Sequence, residues 1–106
     1  MTTRFCIVRH GETDWNVEKR IQGHTDVPLN ATGRAQALAM SFNAAHHRFS
    51  AIYSSDLSRA VETARYVAER EGEDVRVLQG LRERHYGIFQ GLTASEAASR
   101  HPAAHA

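Results

Sequence analysis

Strand-like apolar runs and helical patterns alternate along this chain of 106 residues, and the alternation constrains the fold more than any other feature. An uninterrupted apolar run is typical of a parallel strand covered on both faces, whereas apolar residues at steps of three and four indicate a helix with one buried stripe. Strands that alternate with helices favour right-handed crossovers and an α/β fold, a mostly parallel sheet with flanking helices. The expected strands are residues 5–8, 51–54 and 75–77.

The first long helix is predicted to run to about His46, and either Asn30 or Thr32 could cap its start. Gly33 is expected to weaken only the first turn of this helix. The apolar spacing predicts a stripe that faces the core, formed by Ala35, Leu38, Ala39, Phe42 and Ala45.

The second long helix has the clearest pattern, because Leu57, Ala60, Val61, Ala64, Val67 and Ala68 recur at helical steps. Ser55 and Asp56 are predicted to cap its start, and Gly72 is predicted to end it in a C-terminal cap. Residues 80–91 form a charged loop in this interpretation. A short last helix is predicted to open at the capping box Thr93–Glu96 and to end before Pro102.

Composition narrows the functional classes. The length and the 42% apolar content suit one globular domain, and the net charge of +1 has no basic run of the kind that binds nucleic acid. The lone Cys6 lies in the first apolar run and is predicted to be a small buried hydrophobe, which fits a reducing cytoplasm. No apolar segment approaches membrane-spanning length, so neither export nor a membrane partner is expected.

Charged residues follow directly after two of the expected strands. Arg9, His10 and Gly11 come after the run 5–8, and Arg59 lies in the first helical turn after the run 51–54. Ligands of α/β sheets gather beyond the carboxyl ends of parallel strands, and helix N-termini attract anions. The pattern therefore predicts an anion site with a histidine in it. Taken alone, Arg59 could instead be a solvated helix residue paired with Glu62 or Asp56.

Three sequence motifs resemble, in order, the signatures of the histidine phosphatase superfamily, which includes the cofactor-dependent phosphoglycerate mutases. The first is Arg-His-Gly-Glu-Thr-Asp-Trp-Asn at 9–16, and the second is Ser-Asp-Leu-Ser-Arg-Ala-Val-Glu-Thr-Ala at 55–64. The third is Leu-Arg-Glu-Arg-His-Tyr-Gly at 81–87. Together they cover most of the chain, and the resemblance implies the phosphoglycerate mutase-like fold.

The resemblance also implies catalytic roles. His10 would attack phosphorus as a neutral imidazole and form a phosphohistidine, while Arg9 and Arg59 would bind the phosphate. Glu83 would donate the proton to the leaving alcohol, which requires a pKa raised by the phosphate charge and by partial burial. Positions that match substrate-contacting residues of the family are Asn16, Gln22, Gly23, Arg84 and Tyr86. No metal and no cofactor is expected.

Other histidines are assigned weaker roles. His24 and His85 are expected at the rim of the site, where either could border the pocket. His101 and His105 have the spacing of a helical zinc pair, but Pro102 between them argues against that site.

One family feature has no counterpart. Members carry a second catalytic histidine in the later half of a chain about twice as long, and no residue after Glu83 replaces it here. We therefore expect residues 1–106 to be one histidine phosphatase domain that is incomplete at its C-terminal side, with a homodimer as one way to cover the gap.

Three functional hypotheses follow. The first is a phosphomonoester phosphatase acting on a small phosphorylated metabolite, because the stretch 21–29 looks like the broad-specificity phosphatase branch. The second is a cofactor-dependent phosphoglycerate mutase, which the stretch 83–87 favours. The third is a non-catalytic phosphate-binding remnant, which the missing histidine favours.

Overall fold

The computed structural model describes residues 5–44 and 48–101. Four α-helices and two β-strands lie in these ranges: α1 (Asp14–Val17), α2 (Ala31–Ala44), β1 (Ile52–Ser54), α3 (Ser58–Glu71), β2 (Val75–Val77) and α4 (Ala94–Arg100). The segment 80–91, predicted as a loop, contains two short turns of 3-10 helix around Gly80 and Ile88. No helix in the described ranges is long and apolar enough to cross a membrane.

The sheet consists of β1 and β2, which pair in parallel with Ile52 opposite Val75 and Ser54 opposite Val77. Helix α3 connects the two strands and packs on both of them. The predicted α/β class with a parallel sheet is therefore confirmed. In this arrangement α3 begins just beyond the carboxyl end of β1, where an anion site was predicted.

Helix α3 ends as its sequence predicts but begins differently. Gly72 adopts a left-handed conformation (φ 67°), and its N–H donates to the carbonyl of Ala68. At the N-terminus, Asp26 accepts hydrogen bonds from both the backbone N–H and the hydroxyl of Ser58, each at 2.7 Å. The prediction that Ser55 and Asp56 cap this helix is wrong, because a carboxylate from a distant loop takes that role.

Helix α2 has the predicted position but a different buried face. Its first turn is capped by Asn30, whose side-chain oxygen accepts from Gly33 N–H at 2.7 Å. The predicted stripe is wrong at Ala35, Leu38, Ala39 and Phe42, which are exposed, while Ala45 and His46 lie outside the described residues. Gly33, Ala37 and Ser41 are buried instead, since small side chains let α2 pack closely on α3.

The apolar run 5–8 is not a strand in the structure. Phe5 is 87% exposed and Ile7 is 94% exposed, and Cys6 is exposed as well, so the predictions of a buried strand and a buried cysteine are wrong. A buried parallel strand needs a neighbour that takes up its backbone hydrogen bonds. Among the described residues, β1 pairs only with β2, and no strand lies beside residues 5–8.

The last helix confirms its predicted capping box. The Thr93 hydroxyl accepts from Glu96 N–H, and the Glu96 carboxylate accepts from Thr93 N–H, both at 3.2 Å. Arg20 ties this helix to the first half of the chain by donating to Gly91 O and to Glu96 at 2.8 and 2.7 Å. Pro102 lies outside the described residues.

Candidate active site

His10 is half-buried, and its ring is held by its own backbone neighbour. Nδ1 lies 2.6 Å from the carbonyl oxygen of Gly11. Because a carbonyl can only accept, Nδ1 carries the proton, and Nε2 of the neutral ring presents its lone pair. Burial is the largest effect that lowers the pKa of His10, and the positive charges of Arg59 and Arg9 add to it. The imidazole is therefore neutral near pH 7.

The hydrogen bond to Gly11 O and the charge of Glu83 act in the opposite direction and raise the pKa of His10. Their effect is smaller than the combined effect of burial and the two arginines. The charges that act on the pKa of His10 thus include those of the predicted phosphate ligands Arg9 and Arg59 and of the predicted proton donor Glu83.

Two helices clamp the segment that follows His10. From α3, the Thr63 hydroxyl accepts from Gly11 N–H at 3.1 Å, and from α2 the Gln36 side chain accepts from Glu12 N–H at 2.9 Å. The backbones of Gly11 and Gly33 are in contact, so a Cβ on either glycine would overlap the main chain of the other segment. Gly33 therefore does more than weaken a helical turn.

Arg59 is the most deeply buried charged group of the site, with 1% of its surface exposed. Its Nη1 donates to Thr25 O at 2.7 Å, and its Nη2 donates to Gly23 O at 2.6 Å. The alternative of a solvated helix residue is wrong. Its suggested partners bind other arginines: Glu62 pairs with Arg34 at 2.8 Å, and Asp56 pairs with Arg82 at 2.6 Å.

Glu83 contacts the same guanidinium, at the nitrogen that also donates to Gly23 O. Its Oε2 lies 3.4 Å from Arg59 Nη2, and its side chain is about half exposed. The backbone oxygen of Glu83 accepts from His24 Nε2 at 2.6 Å, and the rings of His24 and His85 meet edge to face at 4.7 Å. The two histidines therefore border the site beside Glu83.

Asn16 and Gln22 both bind Thr13, which is fully buried. The Thr13 hydroxyl donates to the Gln22 side chain at 2.6 Å, and Thr13 N–H donates to the Asn16 side chain at 2.9 Å. Gly23 follows with φ 54°, and a Cβ there would overlap the side chain of Gln90. These three residues shape the loop whose carbonyls hold Arg59.

The remaining predicted residues lie at the surface. Arg9 is exposed and lines a cleft of about 210 Å³ beside His10, together with Gln36 and Met40. Arg84 is exposed, and its guanidinium lies 5.6 Å above the ring of Tyr86. The described contacts of Arg84 and Tyr86 do not include His10 or Arg59, so these two are the site residues that the structure joins least directly to the others.

Comparison with known proteins identifies the family to which this chain belongs. The family model of the histidine phosphatase superfamily (branch 1) matches residues 5–106. The chain belongs to this superfamily. Phosphoglycerate mutase-like protein 4 of Arabidopsis thaliana is 48% identical over 103 residues, which are 95% of this chain and 45% of that protein. Glucosyl-3-phosphoglycerate phosphatase of Mycobacterium tuberculosis is 45% identical over 93 residues, which are 88% of this chain and 42% of that protein.

A solved histidine phosphatase structure gives the same result for the fold. The mycobacterial glucosyl-3-phosphoglycerate phosphatase in complex with VO3 superposes with a TM-score of 0.85 at 44% identity, covering 90% of this chain and 46% of that one. The chain thus spans less than half the length of each of these relatives.

Within this candidate site, sequence reasoning missed Thr63 and Gln90. Gln90 accepts from His24 N–H at 2.8 Å and donates to Thr25 at 3.1 Å, so it links two loops that are more than 60 residues apart. Nothing local in the sequence indicates that link. Thr63 could have been found, because it stands four residues after Arg59 and so lies on the same helix face.

Among the described residues, no group of three or more His, Cys, Asp or Glu could hold a metal ion.

Proposed function

We propose that this chain carries the nucleophilic half of a phosphomonoester phosphatase that works through a phosphohistidine on His10. The observation that carries the proposal is the neutral imidazole whose Nδ1 is bound to Gly11 O, so that Nε2 is available to a substrate. The influence of the Arg59 and Arg9 charges on this ring supports the further point that the two guanidiniums would offset the negative charge of a phosphate bound beside it.

The proposed reaction has two displacements. Nε2 of His10 attacks phosphorus, the bond between phosphorus and the ester oxygen breaks, and Glu83 gives its proton to the departing alkoxide. Water then attacks the phosphohistidine, with the Glu83 carboxylate accepting a proton, and inorganic phosphate leaves. Arg9 and Arg59 would offset the negative charge of the phosphoryl oxygens throughout, without metal or cofactor in this scheme.

The proposal assigns the organic part of the substrate to the residues around this centre. Asn16, Gln22 and Gly23 shape the loop that borders Arg59, and Arg84 and Tyr86, which stack on each other, follow Glu83 in the chain. We propose a small phosphorylated metabolite as substrate, in keeping with the phosphoglycerate derivative in the name of the mycobacterial relative.

A second candidate function is phosphoglycerate mutase activity, favoured by similarity to a protein named 2,3-bisphosphoglycerate-dependent phosphoglycerate mutase 2, which is 43% identical over 100 residues. In a mutase, the phosphohistidine would return its phosphoryl group to an acceptor hydroxyl instead of water. Dependence on a bisphosphoglycerate primer separates the two candidates. A non-catalytic phosphate-binding role would show phosphate binding without turnover.

We also propose a cellular location, a class of partners and an oligomeric state for the protein. A cytoplasmic location is supported by the single cysteine, and a small-molecule partner instead of nucleic acid is supported by the net charge of +1 without a basic run. We propose all 106 residues as one histidine phosphatase unit that forms a homodimer, which the exposed apolar run 5–8 supports.

The test is release of inorganic phosphate from an aryl phosphate in the presence of a metal chelator. We expect turnover by the wild-type chain and a loss of at least about a thousandfold in kcat/KM for His10→Ala, since the nucleophile is removed. The matched control is His101→Ala, which removes a half-buried histidine beside Phe89 and should leave the rate unchanged. Equal rates for the wild type and His10→Ala would contradict the proposal.

A further inference from the structure

Thr63 joins the segment that carries His10 to the part of α3 that carries Arg59 through one hydroxyl group. The residue is 5% exposed and lies on α3, one turn after Arg59. Its Oγ1 accepts from Gly11 N–H at 3.1 Å and donates to the backbone carbonyl of Arg59 at 2.7 Å. The hydroxyl therefore uses both its acceptor and its donor capacity, with one bond to the segment of His10 and one to the backbone of Arg59.

The acceptor bond fixes the peptide group next to the imidazole. Gly11 N–H belongs to the peptide that links His10 to Gly11, whereas the carbonyl that holds Nδ1 belongs to the following peptide, whose N–H binds Gln36. Gly11 is buried, while Gln36 is exposed. Of the two hydrogen bonds, the one that Gly11 N–H donates to Thr63 thus lies in the buried environment, where a missing hydrogen bond costs the most free energy.

The donor bond is of the kind that threonine makes in helices, to the carbonyl four residues earlier. It holds the hydroxyl hydrogen away from Gly11, so the lone pairs of Oγ1 face the Gly11 N–H. Because the carbonyl belongs to Arg59, the same rotamer connects the backbone that carries the guanidinium to the backbone that carries the imidazole.

We propose that Thr63 is a positioning residue for phosphoryl transfer: its hydroxyl sets the distance and orientation of the His10 imidazole relative to the Arg59 guanidinium. This inference rests on the proposed function. Thr63 touches neither substrate nor the reacting atoms in this scheme. It acts through Gly11, and a displacement of about 1 Å at the nucleophile is enough to cost on the order of a hundredfold in rate.

The test compares three variants. Thr63→Val keeps the side-chain shape and removes the hydroxyl, and Thr63→Ser keeps the hydroxyl. The control is Ser41→Ala, which removes another buried hydroxyl at the interface of α2 and α3, where Ser41 binds Leu38 O and Arg70 at 2.6 and 2.9 Å. Ser41 makes no described contact with residues 10–12.

Two readouts separate positioning from general stability. The first is the tautomer of His10, read from the imidazole ¹⁵N shifts of the labelled chain near neutral pH. The second is hydrolysis of an aryl phosphate, with kcat and KM determined separately. We expect Thr63→Val to lose the Nδ1–H tautomer and to lower kcat on the order of 10 to 100-fold with KM changed less than about threefold. Thr63→Ser and Ser41→Ala should match the wild type in both readouts.

The proposal is overturned if Thr63→Val keeps the wild-type tautomer and rate, or if Ser41→Ala lowers kcat as much as Thr63→Val does. If Thr63→Val does not fold, Thr63→Ala removes the same hydroxyl without a methyl group against Gly11 and takes its place. A wild-type chain without turnover contradicts the proposed function alone, because the tautomer comparison still decides whether Thr63 positions His10.

Discussion

At the residue scale, the proposed proton donor Glu83 also pairs with the proposed phosphate ligand Arg59. The Glu83 carboxylate lies 3.4 Å from the buried guanidinium of Arg59. A phosphate ester beside His10 would bring negative charge to the same guanidinium and compete for it. Glu83 would then be released from Arg59 and could face the leaving oxygen, as the proposed reaction requires.

Glu83→Gln tests this role through the leaving group. We expect the variant to slow hydrolysis of an alkyl phosphate by about 10² to 10⁴-fold, because a poor leaving group needs the proton, and to slow a nitrophenyl phosphate much less. Initial rates on the two esters give the comparison. Glu69→Gln on the exposed face of α3 is the control and should change neither rate. Equal slowing of both esters would argue that Glu83 only holds Arg59.

At the element scale, the close approach of α2 to the segment after His10 is the feature that orients the site. Gly33 in the first turn of α2 and Gly11 touch through their backbones, and Asn30 N–H donates to Glu12 O at 3.0 Å. This contact leaves no room for a side chain at either glycine. The N-terminus of α2 therefore serves as a rigid support for the loop that carries the imidazole.

Gly33→Ala distinguishes this support from ordinary helix propensity. Alanine at a free helix position stabilises by about 1 kcal/mol relative to glycine. Here the methyl group would run into the Glu12 backbone, so we expect the free energy of unfolding to fall by about 1 to 3 kcal/mol in urea titrations. Gly80→Ala, where nothing lies within 4 Å of the new methyl, should change it by less than about 0.5 kcal/mol. A more stable Gly33→Ala variant would refute the contact.

The same elements show what local sequence can and cannot predict. The position of α3 and its glycine end followed from spacing alone, because both depend on residues within a few turns. Its cap by Asp26 did not, since the carboxylate comes from 32 residues earlier. The buried face of α2 was missed because packing against α3 selects small residues such as Gly33, Ala37 and Ser41 over bulkier apolar ones.

The residues of the candidate site that lie within the three motifs could be predicted from the sequence. His10, Arg59 and Glu83 were identified from residue order and resemblance. In the structure Glu83 pairs with Arg59 at 3.4 Å, and the charges of both act on the pKa of His10. The hydrogen bonds that hold them in place were not predictable. Gln90 binds His24, and Thr63 binds Gly11 in addition to its helical neighbour Arg59, so these distant partners emerge only from the tertiary structure.

At the scale of the whole molecule, the apolar surface of residues 5–8 is the largest departure from expectation. Phe5 and Ile7 are 87% and 94% exposed, and Phe42 of α2 is 55% exposed. The relatives from Arabidopsis thaliana and Mycobacterium tuberculosis described above are more than twice as long as the segment they share with this chain. Exposed apolar surface of this kind favours association, because contact removes it from water.

We therefore expect the 106-residue chain to self-associate, with the fraction of dimer in sedimentation velocity rising with protein concentration. Ile7→Lys should lower that fraction, because a charge would have to be buried in the contact. Val17→Lys, at an apolar position 61% exposed on α1, is the matched control and should leave the dimer fraction unchanged. A chain that stays monomeric at all concentrations, or an equal effect of the two lysines, would exclude association through residues 5–8.

The central claim is that His10 accepts a phosphoryl group, and the most direct measurement is to trap that intermediate. The chain is mixed with an aryl phosphate, quenched in alkali, where phosphohistidine survives, and mapped by fragmentation mass spectrometry. Our account predicts one phosphoryl group on His10, lost on acid treatment and absent from His10→Asn. Turnover with no phosphoryl group on His10, or a phosphoryl group on another residue that persists in His10→Asn, would contradict it.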